Sequence, residues 1–343
     1  MTGIVAATRR REARRAGTVA IALGLVVLVL FALSLSYGSF QVSLPDIVRS
    51  LLGQPTPPQV DYIVRTLRLP RAILAVLTGL AFGIGGAIFQ NLVRNPLASP
   101  DVIGVTAGAS CSAVLAIVLF GASGGLITVI ALTGALVTGA LIYVLAWRGG
   151  GMGTYRFVLV GIGIGAALAG VMSFLLTRTD IRVAQDALIW LTGSLNARDW
   201  DDVRPLALAG LVLIPAALLL GRLLGGLQLG DDMAKGLGIG VERGRLGLLL
   251  TGVLLVATAT AAAGPIAYVS FMSGPIAARL VRGGRPALLP AGLVGAAVVL
   301  AADFIGAHAI PGIIFPVGVI TGVIGAPYLL WLLATANRTG RGE

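Results

Sequence analysis

Apolar residues fill this chain in long blocks, and polar positions are gathered into the intervals between them. A block of about 20 mainly apolar residues is long enough to cross a bilayer as a helix. By that measure the pattern predicts ten spans, at 18–37, 69–90, 102–120, 125–147, 156–177, 204–222, 245–263, 265–281, 287–306 and 313–334. The eighth is the weakest, being short and interrupted by Gly274-Pro275. The first follows Arg9, Arg10, Arg11, Arg14 and Arg15, but its apolar run is longer than the ~7–15 residues of a secretory signal, so it reads as a retained anchor.

The intervals are as informative as the blocks. Between spans two and three, "QNLVRNPLASP" places Gln90, Arg94 and an Asn95-Pro96 step at a joint. Pro96 stops helical propagation and biases Asn95 to an extended backbone. Gln90 and Asn95 can satisfy exposed backbone groups at the helix ends, and Ser99 can help start span three. Residues 38–68 form a long loop ending in "RTLRLPR", and 178–203 read as a segment with a short interfacial helix carrying Trp190 and Trp200. Residues 223–244, with "LGDDMAKGLGIG", form another long connection. None resembles a separate soluble domain, so 1–343 reads as one membrane domain with a basic N-terminus over 1–17.

Composition agrees: 57% of residues are hydrophobic and 11% charged, against about 25% charged in soluble domains. The chain is an all-α integral membrane protein on this reading. Its 49 glycines suit helices that pack closely in lipid, where small residues rather than a hydrophobic force hold helices together. The net charge of +11 does not point to nucleic acid, because the charges lie between spans. With the N-terminus inside, 17 Lys and Arg fall on the inner side and 8 on the outer, as the positive-inside rule requires of ten spans with both termini cytoplasmic.

Catalytic chemistry is missing. Asp303, near the outer end of span nine, reads as interfacial or hydrogen-bonded within the bundle. His308 stands alone beyond it, with no partners at metal-ligand spacing. Cys111, the single cysteine, sits in an apolar span and excludes a disulfide framework. The only lysine, Lys235, is followed by Gly236 and Leu237, so no phosphate-binding Gly-Lys-Ser/Thr loop exists. Any energy for uphill transport must enter from another subunit.

Five stretches resemble the FecCD-type permeases, membrane subunits of bacterial ABC importers for ferric siderophores, haem and cobalamin. They are "RTLRLPRAILAVLTGLAFGIGGAIFQNLVRNPLASPDVIGVTAGA" (Arg65–Ala109), "IWLTGSLN" (Ile189–Asn196), "LGDDMAKGLGIGVERGR" (Leu229–Arg245), "AGPIAYVSFMSGPIAARL" (Ala263–Leu280) and "FPVGVITGVIGAPYLLWLL" (Phe315–Leu333). The "SPDVIG" wording is nearest to ferric-enterobactin-type permeases. The resemblance implies ten helices per subunit, a second permease subunit, two ABC ATPase subunits that use the ATP, and an extracytoplasmic substrate-binding protein.

It also implies roles for residues. Gly230, Asp231, Asp232, Ala234, Leu237 and Gly238 match the cytoplasmic coupling loop, with Ala234, Leu237 and Ile239 offered to a groove on the ATPase and the aspartates suited to a helix N-terminus. Arg65 and Arg68, with Arg71 close by, match arginines that pair with carboxylates of the binding protein. Gln90, Arg94, Asn95 and Pro96 fall on the inner face. The resemblance implies no bound cofactor or metal in this chain, a ferric siderophore as cargo, and cobalamin or haem as the alternative. One departure stands out: where members commonly read Ala-Pro-His-Ile, this chain has Ser273-Gly274-Pro275-Ile276.

Overall fold

The computed structural model describes residues 2–101, 103–148, 151–283 and 286–339; Arg285 and Arg341 of the charge count lie outside them. The described chain is almost entirely helical. In order it runs α1 (Thr2–Ser36), α2 (Leu44–Leu51), α3 (Pro58–Asp61), a π-helical stretch (Tyr62–Arg68), α4 (Leu69–Val93), α5 (Val105–Phe120), α6 (Gly125–Ala146) and α7 (Thr154–Arg178). It continues through α8 (Ile181–Thr192), α9 (Trp200–Leu227), α10 (Asp231–Gly236), α11 (Val241–Ala263), α12 (Val269–Val281), α13 (Leu288–His308) and α14 (Val317–Thr339). The only strands among the described residues are a two-residue pair, Trp147–Arg148 with Gly151–Met152.

Each of the ten expected spans has its helix, but two are short. Eight helices among the described residues are long and apolar enough to cross a membrane. The third and eighth spans are α5, of 16 residues, and α12, of 13. At ~1.5 Å per residue, α12 covers only about 20 Å of a ~30 Å hydrocarbon core. Irregular backbone adjoins each of these two helices, at 97–101 and 264–268, and Ala98, Ser99, Pro100, Gly264 and Ile266 there are buried in protein. Burial is the condition under which non-helical backbone is tolerated at membrane depth.

Several boundaries differ from the sequence expectation. The second span is helical from Pro58, because the π-helical stretch joins α3 to α4 across "RTLRLPR". Span six runs on to Leu227, and span eight starts only at Val269, where Tyr268 takes a left-handed backbone, φ 66°. The N-cap residue of α5 is Gly104, five residues after Ser99.

The helices are layered around α4. In the stretch from Pro58 to Val93, 78% of the apolar window is buried, against 11% for the windows in α1, α7 and α9. Those three present Ile21, Phe174 and Leu211 outward, as lipid-facing helices do. The most extensive packing is α4 on α13, where a Cβ on Gly79 would lie 2.5 Å from the Ala296 Cα. Backbone meets backbone at that crossing, as the glycine content foretells.

Contacts between loops sort the chain into two ends. Arg94, Leu227, Asp231 and Arg245 cluster at one end, called proximal here, where α1 begins. The ends of α1 and the starts of α4 and α14 lie at the distal end with Trp200 and Gly193. This alternation is what ten crossings demand.

Candidate functional site

At the proximal end the sequence joint becomes a compact hydrogen-bonded corner. Helix α4 stops because Arg94 adopts a left-handed backbone, φ 55°, and its N–H bonds back to the Gln90 carbonyl. Asn95 N–H donates to the same carbonyl at 3.0 Å, and the Asn95 Oδ1 accepts from Leu97 N–H at 2.9 Å. The Arg94 guanidinium reaches across to the end of α9 and donates to the Leu227 carbonyl at 2.6 Å. Gln228 Nε2 donates to Asn91 Oδ1 at 2.6 Å, which joins the same two helices a second time. Gln90 is buried and donates to the Phe271 carbonyl of α12 at 2.9 Å.

These groups surround a cavity of about 460 Å³. Gln90, Arg94, Asn95 and Pro96 all line it, together with Asn91 and Gln228. The structure thus brings the four expected inner-face residues together. Asn91 and Gln228 were missed, although an amide at the end of an apolar run is a signal the sequence carried.

Helix α10 projects from this corner. Gly230, at φ 107°, starts it and Gly238, at φ 78°, follows it, conformations that glycine adopts without strain. Asp231 and Asp232 occupy the first turn, where their charge favours the helix dipole, but the N-cap residue is Gly230. Ala234 is fully buried against the chain itself, and Ile239 packs half-buried on the main core, so neither is free to enter a partner's groove. A six-residue helix has one outward face, and here that face carries Met233, 63% exposed, and Leu237, 64% exposed. Of the expected apolar residues Leu237 is exposed and Ala234 is not, and Met233 is a further exposed apolar side chain beside Leu237.

At the distal end the three arginines are engaged by their own chain. Arg65 donates to the Ser50 carbonyl and lies 3.1 Å from Asp61. Arg68 bonds the carbonyls of Leu35, Ser36 and Phe40, closing the end of α1. Arg71 departs most from expectation: Nε and Nη2 grip Asp303 of α13 at 2.8–3.1 Å, and the Asp303 side chain is only 8% exposed. Arg71 is a pin between helices, not a free rim charge. Asp303 is hydrogen-bonded within the bundle, as one expected reading has it. His308 turns back onto its own helix, with Nδ1 2.7 Å from the Phe304 carbonyl.

No group of three or more His, Cys, Asp or Glu capable of holding a metal occurs among the described residues.

Comparison with known proteins places these surfaces in context. A family model, the FecCD transport family, matches residues 26–335. The ferric enterobactin transport system permease protein FepG of Escherichia coli (strain K12) is 39% identical over 301 residues, 88% of this chain and 91% of its own length. The Fe(3+)-citrate import system permease protein YfmE of Bacillus subtilis (strain 168) is 36% identical over 325 residues, 94% and 96% of the two chains. A solved structure described as an inward-facing conformation of a metal-chelate type ABC transporter superposes with a TM-score of 0.77 at 25% identity, covering 93% of this chain and 99% of that one.

Proposed function

The chain belongs to the FecCD transport family, and from that premise we propose that it is the membrane permease subunit of an ABC importer carrying a ferric siderophore. The observation that carries the reading is the extent of the match: relatives named for ferric enterobactin and Fe(3+)-citrate each cover about nine-tenths of the chain. The substrate class is an iron chelate. Among such chelates a ferric catecholate is the first candidate, since the enterobactin permease shares 39% identity.

The permease works with partners. Two ATPase subunits dock at the proximal end, which faces the cytoplasm of a bacterial inner membrane, and they bind the ATP. Met233 and Leu237 on α10 are the apolar side chains exposed there for a groove on the ATPase. A second permease subunit, identical or paralogous, completes the path. A substrate-binding protein meets the distal end, where Arg65 keeps 42% of its side chain exposed beside Arg68. The intramolecular bonds of both arginines hold the guanidiniums in place, which lowers the ordering cost of pairing with a carboxylate.

The decisive experiment reconstitutes the chain with its ATPase, second permease and binding protein in liposomes and follows radioactive iron. ATP-dependent accumulation of iron offered as a catecholate chelate is expected. Uptake driven by a proton gradient without ATP would overturn the reading, and ATP-driven uptake of cobalamin or haem instead of iron chelates would overturn the substrate.

A further inference from the structure

Pro275 lies inside α12. Lacking an N–H, it cannot bond the carbonyl four residues back, and its ring pushes that carbonyl aside. The carbonyl is that of Phe271, and its partner comes from another helix: Gln90 Nε2 on α4 donates to it at 2.9 Å. The side chain that fills the gap is buried, with Gln90 only 7% exposed. The neighbouring residue makes room for it, since a Cβ on Gly274 would overlap the Gln90 Oε1. Ser273-Gly274-Pro275 and Gln90 are thus matched: the proline removes a donor, the glycine opens the space and the glutamine returns the donor.

The same turn of α4 is bound on its other side to α9. Gln228 Nε2 holds Asn91 Oδ1, and Arg94 holds the Leu227 carbonyl, each at 2.6 Å. Leu227 and Gln228 lead within three residues into α10. A set of hydrogen bonds therefore runs from the end of α9, which leads into α10, through the end of α4, to the broken turn of α12.

We propose that Gln90 is the positioning residue that binds the broken turn of α12 to α4, so that a displacement of α10 is passed to α12 through Gln228–Asn91, Arg94–Leu227 and Gln90–Phe271. This rests on the permease reading. An ordinary packing hydrogen bond would stabilise the bundle without changing how much substrate moves per ATP.

The test is a double-mutant cycle in the reconstituted complex, reading iron chelate transported per ATP hydrolysed. Gln90→Met removes the donor at similar volume, and Pro275→Ala gives α12 back its own N–H for the Phe271 carbonyl. Gln90→Met alone is expected to lower the transport-to-ATP ratio about tenfold, equivalent to ~1.4 kcal/mol of lost coupling. In the Pro275→Ala background the same change is expected to do nothing further. Gly274→Ala, which displaces the amide sterically, should reproduce the single-variant loss. An unchanged ratio in Gln90→Met, or an equal loss in both backgrounds, overturns the proposal.

Thermal midpoints of the purified full-length chain read the same cycle without transport. Gln90→Met should lower the midpoint by about 2–4 °C only where Pro275 is retained. If Pro275→Ala itself stops transport, these midpoints decide the cycle, with a shift confined to the Pro275 background supporting the bond and an equal shift overturning it. Wild-type complex that transports nothing with ATP would remove the permease reading and the transport role with it, while the midpoints still report the bond.

Discussion

Arg245 near the start of α11 donates to Asp231 on the first turn of α10 at 2.9 Å, and to Glu242 at 3.2 Å. The Arg245 side chain is only 10% exposed. Helix α10 is thus anchored through Leu227 on one side and through Arg245 on the other, so its attitude is set by two bundle helices. Replacing Arg245 with Ala is expected to destabilise the chain by roughly 1–2 kcal/mol, the range for hydrogen bonds to charged groups of which one is half-exposed. It should also lower ATP-driven uptake. The exchange Asp231→Arg with Arg245→Asp should recover part of both; a swap no better than the single change would refute the anchoring.

The pair Arg71–Asp303 gives a second prediction. Removing one partner leaves a charge in a largely buried site, so Asp303→Leu alone is expected to cost about 2–3 kcal/mol, below the ~3–5 kcal/mol of a fully buried pair because Arg71 is 24% exposed. Arg71→Met with Asp303→Leu should cost less than either single change. Binding-protein affinity in the double variant should stay at the wild-type level. A loss of affinity would return Arg71 to the docking surface.

Backbone contact between α4 and α13 predicts an asymmetry among glycines. A Cβ on Gly83 would overlap the Ala291 carbonyl, whereas one on Gly163 in α7 meets nothing within 4 Å. Gly83→Ala is expected to destabilise by roughly 1–3 kcal/mol through overpacking. Gly163→Ala should be neutral or slightly stabilising, as Ala is the better helix former. Thermal unfolding in detergent of both variants checks this.

Much of the architecture was legible from blocks of apolar residues, because a bilayer imposes one length on every crossing. The two failures of length, α5 and α12, arise where buried irregular backbone substitutes for helix, and apolarity alone does not distinguish the two. The arrangement of Gln90, Arg94, Asn95 and Pro96 around one cavity followed from their place at a span end. The pairing of Arg71 with Asp303 was not legible because the partners lie 232 residues apart, a separation no local pattern reports. The burial of Ala234 was not legible because six residues do not define which face of a helix is turned inward. Only the packing of α10 on α9 and α11 does.

The distance in sequence between Arg71 and Asp303 also sets an order of events at synthesis. Arg71 enters the membrane with α4, and Asp303 follows 232 residues later. At about 5–20 residues per second, that leaves the guanidinium waiting on the order of 10–50 s for its carboxylate. Its place near the start of α4 lets the long side chain reach the headgroups meanwhile, as arginines near helix ends do. Release of a nascent chain before α13 would leave an unneutralised cation at the edge of the bilayer, a mark that sets an incomplete chain apart from a finished one.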